Sequence, residues 1–365
     1  MTSKQFFTLV TNLKYKYFLS LFFGCRVNAA ESNLISQILI DNGLEPITES
    51  DDNVPSLIVV NTCSITQKGE NESLRKIKSL SKIYPKAIIV ITGCASIKAL
   101  AKNKNFYFLN NIAKKNLLSQ NTLTYTPKIK DRLSQYHRYL LNIQTGCNQF
   151  CSYCIVPYKR QQLWSLPIKD AITQTQKAID LGFTEVIITG VNLEKYSPGL
   201  AKLTASLLQK TSVPLISFGS VPLNCIDDNF LDLIKNYKLR IKNFLHIPIQ
   251  SGSDKILKLM NRPYTTRKIT RTIENCKLKI KNLKLGTDII VGFPGETEAD
   301  FQQTYDLCQS IGFSKIHTFR YSPRPGTASF KLPQTVDKKT KEYRSQLIRN
   351  LIFQTTPPSH QTQDN

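Results

Sequence analysis

The sequence predicts an α/β protein: an N-terminal parallel-sheet domain followed by a partial or full (β/α) barrel. Apolar runs of strand length alternate with segments of helical period along most of the chain, the pattern of parallel strands joined by crossover helices. The 365 residues suit two domains, each large enough to bury a core. The pattern breaks between Tyr125 and Ser134, where Pro127 and charged residues interrupt it. The expected domains are therefore 15–125 and 133–355, with a polar tail at 356–365 that holds neither charge clusters nor periodicity.

Tyr15 to Phe23 is aromatic and apolar, a buried strand ending at Gly24-Cys25-Arg26-Val27-Asn28. Leu34, Ile35, Ile38 and Leu39 then recur at helical spacing, and Asn42-Gly43 closes that helix. A second strand, Ser56 to Val60, runs into Asn61-Thr62-Cys63, and a lysine-rich helix covers Glu70 to Ile83. A third strand, Ala87 to Thr92, ends at Gly93-Cys94. Each of these three units puts a cysteine just past a strand. In open parallel sheets the carboxyl ends of the strands form the ligand-binding edge, so Cys25, Cys63 and Cys94 are expected to converge there. The alternative is three unrelated core cysteines.

Tyr139 to Gln144 is the first strand of the second domain and leads into Thr145-Gly146-Cys147-Asn148-Gln149-Phe150-Cys151-Ser152-Tyr153-Cys154. Strands follow at Glu185 to Thr189, Leu215 to Phe218, Phe244 to Ile249, Leu285 to Val291 and Lys315 to Phe319. Helices fall at Asp170 to Leu181, Leu200 to Gln209, Phe230 to Tyr237, Asp254 to Met260, Arg267 to Ile280 and Asp300 to Ile311. The cysteine loop thus sits after the first strand, at the functional edge of such a barrel. Three cysteines at C-x3-C-x2-C spacing are one short of a closed tetrahedral site. Three thiolates can hold three irons of a 4Fe–4S cube and leave the fourth open to a small molecule. A zinc loop is the competing reading.

Composition narrows the partners and the compartment. Lys plus Arg number 49 against 26 Asp plus Glu, a net charge of +23, which raises the potential felt by a polyanion and makes nucleic acid the leading partner class. Nine cysteines, an odd number and partly clustered, point to metal ligation in a reducing compartment rather than to a disulfide framework. No apolar run reaches the ~20 residues of a membrane helix. Residues 1–30 hold no acid, but they lead directly into the first strand, so they read as a short extension of a cytoplasmic protein.

The two triads and their surroundings resemble the radical S-adenosylmethionine (SAM) methylthiotransferases. In the first half the resemblance rests on Gly24-Cys25-Arg26-Val27-Asn28, Asn61-Thr62-Cys63-Ser64-Ile65-Thr66 and Gly93-Cys94. In the second it rests on Cys147 to Cys154 with Ile155-Val156-Pro157-Tyr158, on Thr189-Gly190-Val191-Asn192-Leu193 and on His246 to Asp254. It continues through Thr287 to Thr297 and Tyr321 to Thr327. The resemblance implies an auxiliary 4Fe–4S cluster on Cys25, Cys63 and Cys94, and a radical SAM 4Fe–4S cluster on Cys147, Cys151 and Cys154. It implies two molecules of SAM, one giving a methyl group and one a radical, and a methylthio group delivered to C2 of an adenine. The first-half motifs look closest to the branch acting on N6-threonylcarbamoyladenosine beside the tRNA anticodon; other branches act on isopentenyladenosine or on a ribosomal protein. Expected partners are the tRNA, a reductase such as a flavodoxin or ferredoxin, and a sulfur donor. A degenerate iron–sulfur protein that binds RNA without activity is the non-enzymatic alternative.

By the same resemblance Tyr153, Gly190, Asn192 and Gly292 lie near SAM; packing the loop, for Tyr153, and tight-turn duty, for Gly190 and Asn192, are the alternatives. His246 and His317 read as core histidines, and Cys225, Cys276 and Cys308 as buried and inert. The chain departs from the family in four places. Lys159-Arg160-Gln161-Gln162 replaces an Ala-Arg-Gly continuation, Gly219-Ser220-Val221-Pro222-Leu223 lacks a family glutamate, and Thr145 stands where Asp is common. Too few residues follow Asn350 for the small RNA-binding barrel, the TRAM domain, which is expected to be absent.

Overall fold

The structure, a computed structural model, describes residues 1–13, 16–95, 100, 103–119 and 138–355. The expected domain boundary at 125–134, the start of the first expected strand at Tyr15 and the tail at 356–365 lie outside these residues. By packing, the chain divides into two compact units, Met1–Gln149 with Ile155–Ile216 and Phe150–Cys154 with Ser217–Asn365.

The first unit opens with a helix, α1 (Ser3–Thr11), where the sequence suggests only an extension. Thr2 and Gln5 form a capping box, and Phe6 and Val10, one turn apart, are buried. There follow β1 (Tyr17–Phe22), α2 (Arg26–Asp41), β2 (Glu45–Ile47), β3 (Leu57–Thr62), α3 (Gln67–Ile83), β4 (Ile88–Gly93), β5 (Phe106–Phe108) and α4 (Asn111–Ser119). The strands form one parallel sheet in the order β2-β1-β3-β4-β5. All residues of β3 are buried, as a central strand covered on both faces requires. Its side chains alternate: Leu57 and Val59 join one core with Ile35 and Leu39 of α2, while Ile58 and Val60 join another with Ile77 and Leu80 of α3. The two helices therefore cover opposite faces.

The same unit continues with β6 (Arg138–Thr145), a short helix α5 (Val156–Lys159), β7 (Trp164–Ser165), α6 (Ile168–Asp180), β8 (Glu185–Gly190) and α7 (Leu200–Lys210). β9 (Leu215–Phe218) completes a sheet of order β7-β6-β8-β9. β6 and β8 are parallel, and the two-residue β7 runs antiparallel to β6.

The second unit contains α8 (Asp228–Asn236), β10 (Phe244–His246), α9 (Asp254–Leu259), α10 (Thr266–Lys279), β11 (Lys284–Val291), α11 (Glu298–Ile311), β12 (Lys315–Arg320) and α12 (Lys338–Thr355). Its sheet is parallel, in the order β10-β11-β12. β10 stops at His246 instead of reaching Ile249. Ile247 still donates to the Gly286 carbonyl, but Pro248 has no N–H to give to a ladder, and backbone pairing resumes at Gln250, which bridges Ile289. α12 is a further element the sequence reading passes over. Among the described residues no helix is long and apolar enough to cross a membrane.

Candidate functional site

In a sheet of order 2-1-3-4-5, β1 and β3 are neighbours whose crossovers leave on opposite faces, so a crevice opens at their carboxyl ends. The first cysteine triad lies at this edge. Cys25 follows β1 and is the N-cap of α2, while Cys63 directly follows β3 and Cys94 directly follows β4. The loops are fastened to one another. Asn28 donates to the carbonyls of Phe23 (2.8 Å) and Thr62 (2.9 Å), and Asn61 donates to the Asn28 carbonyl (3.0 Å). Thr62 Oγ1 donates to the Thr92 carbonyl (2.7 Å) and accepts from the Ala95 N–H (3.2 Å). The asparagines and threonine of the two motifs thus tie the three cysteine loops into one edge.

Two glycines set how closely these loops approach. Gly24 has φ +87°, and a Cβ there would stand 2.4 Å from Cys63 Sγ. Gly93 has φ +101°, and a Cβ there would stand 2.3 Å from the Thr62 carbonyl oxygen. Only a residue without a side chain fits either place.

Behind the triad lies a buried ion cluster. Glu31, on α2, pairs with Arg160 through both carboxylate oxygens (2.6 and 2.9 Å) and with Lys114 Nζ on α4 (2.6 Å). All three side chains are at most 4% exposed. Burial would push the Glu31 carboxyl up, but the charges of Arg160 and Lys114 outweigh it and hold the group well below the usual carboxylate range. Lys114 is pushed down by burial, partly offset by Glu31. The rest of the Arg160 fork reaches Asn28 Oδ1 (2.9 Å), Thr145 Oγ1 (3.0 Å) and Cys94 Sγ (3.5 Å). Its carbonyl accepts from the N–H of Cys147 (3.1 Å). Arg160 therefore touches a candidate ligand in each triad. Two cations against one carboxylate leave an excess of positive charge beside Cys94. This donor set fits an anionic, thiolate-bound iron–sulfur group, whose sulfurs accept hydrogen bonds.

In the second triad Cys147 follows Gly146, whose φ is +87°. Its sulfur accepts from the Gln149 N–H (3.5 Å) and from Asn192 Nδ2 (3.6 Å). Asn192 is held in turn by its own N–H on Gln144 Oε1 (2.8 Å), and its Oδ1 accepts from the Glu194 N–H. A Cβ on Gly190 would meet Leu193 Cδ2 at 2.9 Å and Gln144 Cβ at 3.0 Å, so the turn needs this glycine sterically. In the second unit, Ser152 donates to the carbonyls of Leu259 (2.7 Å) and, through its N–H, Met260 (3.0 Å). The Cys154 N–H donates to the Cys151 carbonyl (2.9 Å). Arg262 Nη1 donates to Cys151 Sγ (3.2 Å) and Nη2 to the Pro248 carbonyl (3.4 Å). Tyr153 packs on Ile256, Met260, Phe293 and Tyr321, and burial pushes its phenol well above the usual value. The N–H groups of Gly292 and Phe293 are both given to the Glu296 carboxylate. Burial raises that carboxyl to about 7, despite Arg344 at 3.4 Å.

Sequence reasoning missed Arg160, Glu31, Lys114 and Arg262 as parts of the site. Arg160 could be noted as the arginine surviving in an altered motif, but its partner lies in α2 and nothing local announces it. Cys276 and Cys308 are buried, with thiols pushed up to about 12 by that burial, while Cys225 is only half-buried. His317 is not a core histidine: its side chain is 47% exposed.

Residues 141–308 match the Radical SAM superfamily, and residues 17–110 match the uncharacterized protein family UPF0004. The chain is similar to a threonylcarbamoyladenosine tRNA methylthiotransferase, MtaB, of Aquifex aeolicus, at 30% identity over 90% of this chain and 86% of that one. The corresponding Bacillus subtilis protein is 31% identical over 88% of this chain and 77% of that one. A tRNA-2-methylthio-N(6)-dimethylallyladenosine synthase of Petrotoga mobilis is 30% identical over 90% and 82%. Among solved structures, the radical SAM methyltransferase TsrM of Kitasatospora setae superposes with a TM-score of 0.63 at 13% identity, over 86% of this chain and 77% of that one. The fold is that of a radical SAM enzyme. At the identity and coverage of these relatives, the chain belongs to the radical SAM methylthiotransferases. Enzymes of this family use SAM and two 4Fe–4S clusters, and these are its cofactors.

Two outcomes check the site's physics. Glu31→Gln leaves Arg160 and Lys114 buried without their counter-charge and is expected to cost about 3–5 kcal/mol; the thermal unfolding midpoint should fall, and adding Lys114→Met should recover part of the loss. Gly93→Ala should be far more damaging than Gly43→Ala. Gly43 also has a positive φ, +82°, but an added Cβ there meets nothing within 4 Å. Only the backbone penalty of about 1–2 kcal/mol then applies. Equal midpoints for the two variants would refute the close approach at Gly93.

Proposed function

We propose that this enzyme is a tRNA methylthiotransferase that places a methylthio group on C2 of N6-threonylcarbamoyladenosine next to the anticodon. In this reading Cys25, Cys63 and Cys94, in a domain spanning 15–125, hold the auxiliary cluster. Cys147, Cys151 and Cys154, in a domain spanning 133–355, hold the cluster that takes SAM, near Tyr153, Gly190, Asn192 and Gly292. When bound, these cofactors supply a radical able to open an unactivated C–H bond and a sulfur that carries the methyl group. The chain's own residues fix the thiolates and stabilise their charge. Arg160 donates to Cys94, Arg262 to Cys151 and Asn192 to Cys147.

The observation that carries the reading is the placement of Cys25, Cys63 and Cys94 around the switch point of the first sheet, with Asn28 and Asn61 of the same motifs fastening their loops. The wording of those motifs favours the threonylcarbamoyladenosine branch. The net charge of +23 supports a tRNA partner held largely by phosphate contacts, with salt-dependent affinity. A cytoplasmic location, a small electron-transfer reductase and a sulfur donor complete the proposal.

Anaerobically reconstituted protein should hold about eight irons, the sum of two four-iron clusters. Cys151→Ala should abolish deoxyadenosine formation from SAM under dithionite, while Cys63→Ala should retain it with about half the iron. Equal loss in both variants, with the protein still folded, would contradict the two-cluster assignment. For the substrate, nucleosides from the tRNA of a strain lacking the gene should lose the methylthio form of threonylcarbamoyladenosine and recover it on complementation. Loss of the methylthio form of isopentenyladenosine instead would move the enzyme to the other branch.

A further inference from the structure

The sheet of the second unit carries a polar cluster that the cofactor chemistry does not use. Asp288 on β11 and His317 on β12 are register partners. His246 on β10 pairs with Gly286, two residues before Asp288, so all three side chains stand on one face. Gly286 leaves room for the imidazole, since a Cβ there would stand 2.8 Å from His246 Nδ1. Asp288 Oδ1 is 2.9 Å from His246 Nε2 and 3.2 Å from His317 Nδ1. Exposure rises from 8% at His246 through 20% at Asp288 to 47% at His317, so the cluster opens outward along the row. The other face of β11, with Leu285, Thr287, Ile289 and Val291, is buried. Among the described residues Asp288 Oδ2 and His317 Nε2 have no hydrogen-bond partner.

The next row on the same face is Ile290 paired with Phe319, and the Phe319 ring is partly exposed. Ile290 packs on the same core cluster as Tyr153 of the cysteine loop. Rows on one face of a strand are about 7 Å apart. An apolar and aromatic surface suited to a planar base therefore lies beside the cysteine loop, and the His–Asp–His cluster lies one row further on.

We propose that His246, Asp288 and His317 bind the N6 substituent of the adenine, a urea-linked hydroxy amino acid with a free carboxylate, and so set the substrate branch. This rests on the reading of the substrate given above. Asp288 Oδ2 accepts from the N–H groups of the urea and His317 Nε2 donates to the carboxylate, while His246, with Nε2 on Asp288 Oδ1 and Nδ1 against Gly286, holds the Asp288 carboxylate in place. An isopentenyl group offers the cluster nothing, and a site built to hydrogen-bond its substrate discriminates strongly against an analogue that leaves those groups unpaired.

The test is equilibrium binding of three anticodon stem-loops to the reconstituted protein at one salt concentration: unmodified adenine, threonylcarbamoyl-adenine and isopentenyl-adenine at the same position. Wild type should favour the threonylcarbamoyl RNA. His317→Phe and Asp288→Asn should each bind it roughly tenfold more weakly or worse, the loss of a hydrogen bond to a charged group. Their affinity for the unmodified RNA should stay within about twofold, the scatter of a site not touched, and His317→Gln, which keeps a donor, should recover part of the loss. If wild type favours the threonylcarbamoyl RNA and both variants keep that preference, the cluster assignment is overturned and the substrate reading stands. If wild type favours the isopentenyl RNA, the substrate reading falls and takes the assignment with it. Stoichiometric zinc or manganese on wild type, lost in His317→Phe, would make the cluster a cation site and also overturn the proposal.

Discussion

The interaction on which the site depends is the buried pairing of Arg160 with Glu31. Two charges removed from water cost more than a well-packed apolar pair of the same size, so the cluster is not explained by stability. Geometry explains it better. A guanidinium is a rigid planar fork with five donors, and here one fork reaches the Glu31 carboxylate, Asn28, Thr145 and Cys94 at once. Its own carbonyl holds the Cys147 amide. No apolar side chain could fix two cysteine loops relative to one helix in this way. Lysine would supply the charge without the fork. The second cation, Lys114, leaves the cluster with surplus positive charge, which the proposed anionic group at Cys94 would neutralise. Folding of this unit and loading of that group are thus expected to support each other.

The sheet order delivers the thiols, and the glycines let them approach. A strand order of 2-1-3-4-5 forces the crossovers after β1 and β3 to opposite faces. At that split Cys25 is exposed, while Cys63 is buried like the strand before it. Cys25, Cys94 and Cys147 each follow a glycine in the left-handed region. The repeated Gly-Cys pair has a backbone cause: the chain must turn sharply off a strand end before it presents the sulfur.

Much of this was legible in the sequence because it is local. The spacing of Cys147, Cys151 and Cys154 needs no tertiary knowledge, and the strand ends before Cys63 and Cys94 follow from short apolar runs closed by Asn-Thr-Cys and Gly-Cys. What was not legible is non-local or locally ambiguous. Glu31 sits in a helix with no unusual pattern, and its partners lie in α4 and beyond β6. α1 is short, and its Thr2–Gln5 capping box becomes worth reading only with the burial of Phe6 and Val10 in the same core as α2. The expected strand to Ile249 ends early because Pro248 cannot join a ladder. His317 reads as an apolar-context histidine from its neighbours, yet β12 buries only Ile316 completely.

The two triads solve one electrostatic problem by similar means. A thiolate beside a buried sheet edge needs donors, and backbone amides alone do not supply positive charge. In the first unit Arg160 donates to Cys94 at 3.5 Å, and in the second Arg262 donates to Cys151 at 3.2 Å. Each arginine is itself anchored elsewhere, Arg160 by Glu31 and Arg262 by the Pro248 carbonyl and the Tyr264 hydroxyl. The anchors differ in charge. Glu31 offsets only one of the two cations it pairs with, Arg160 and Lys114, and carbonyl and hydroxyl leave the charge of Arg262 largely intact, so a net positive charge stands beside each triad. A cation close to a cluster sulfur favours the reduced, more negative state. With net positive charge beside each, both triads receive this stabilisation from a buried or half-buried arginine donating to a sulfur.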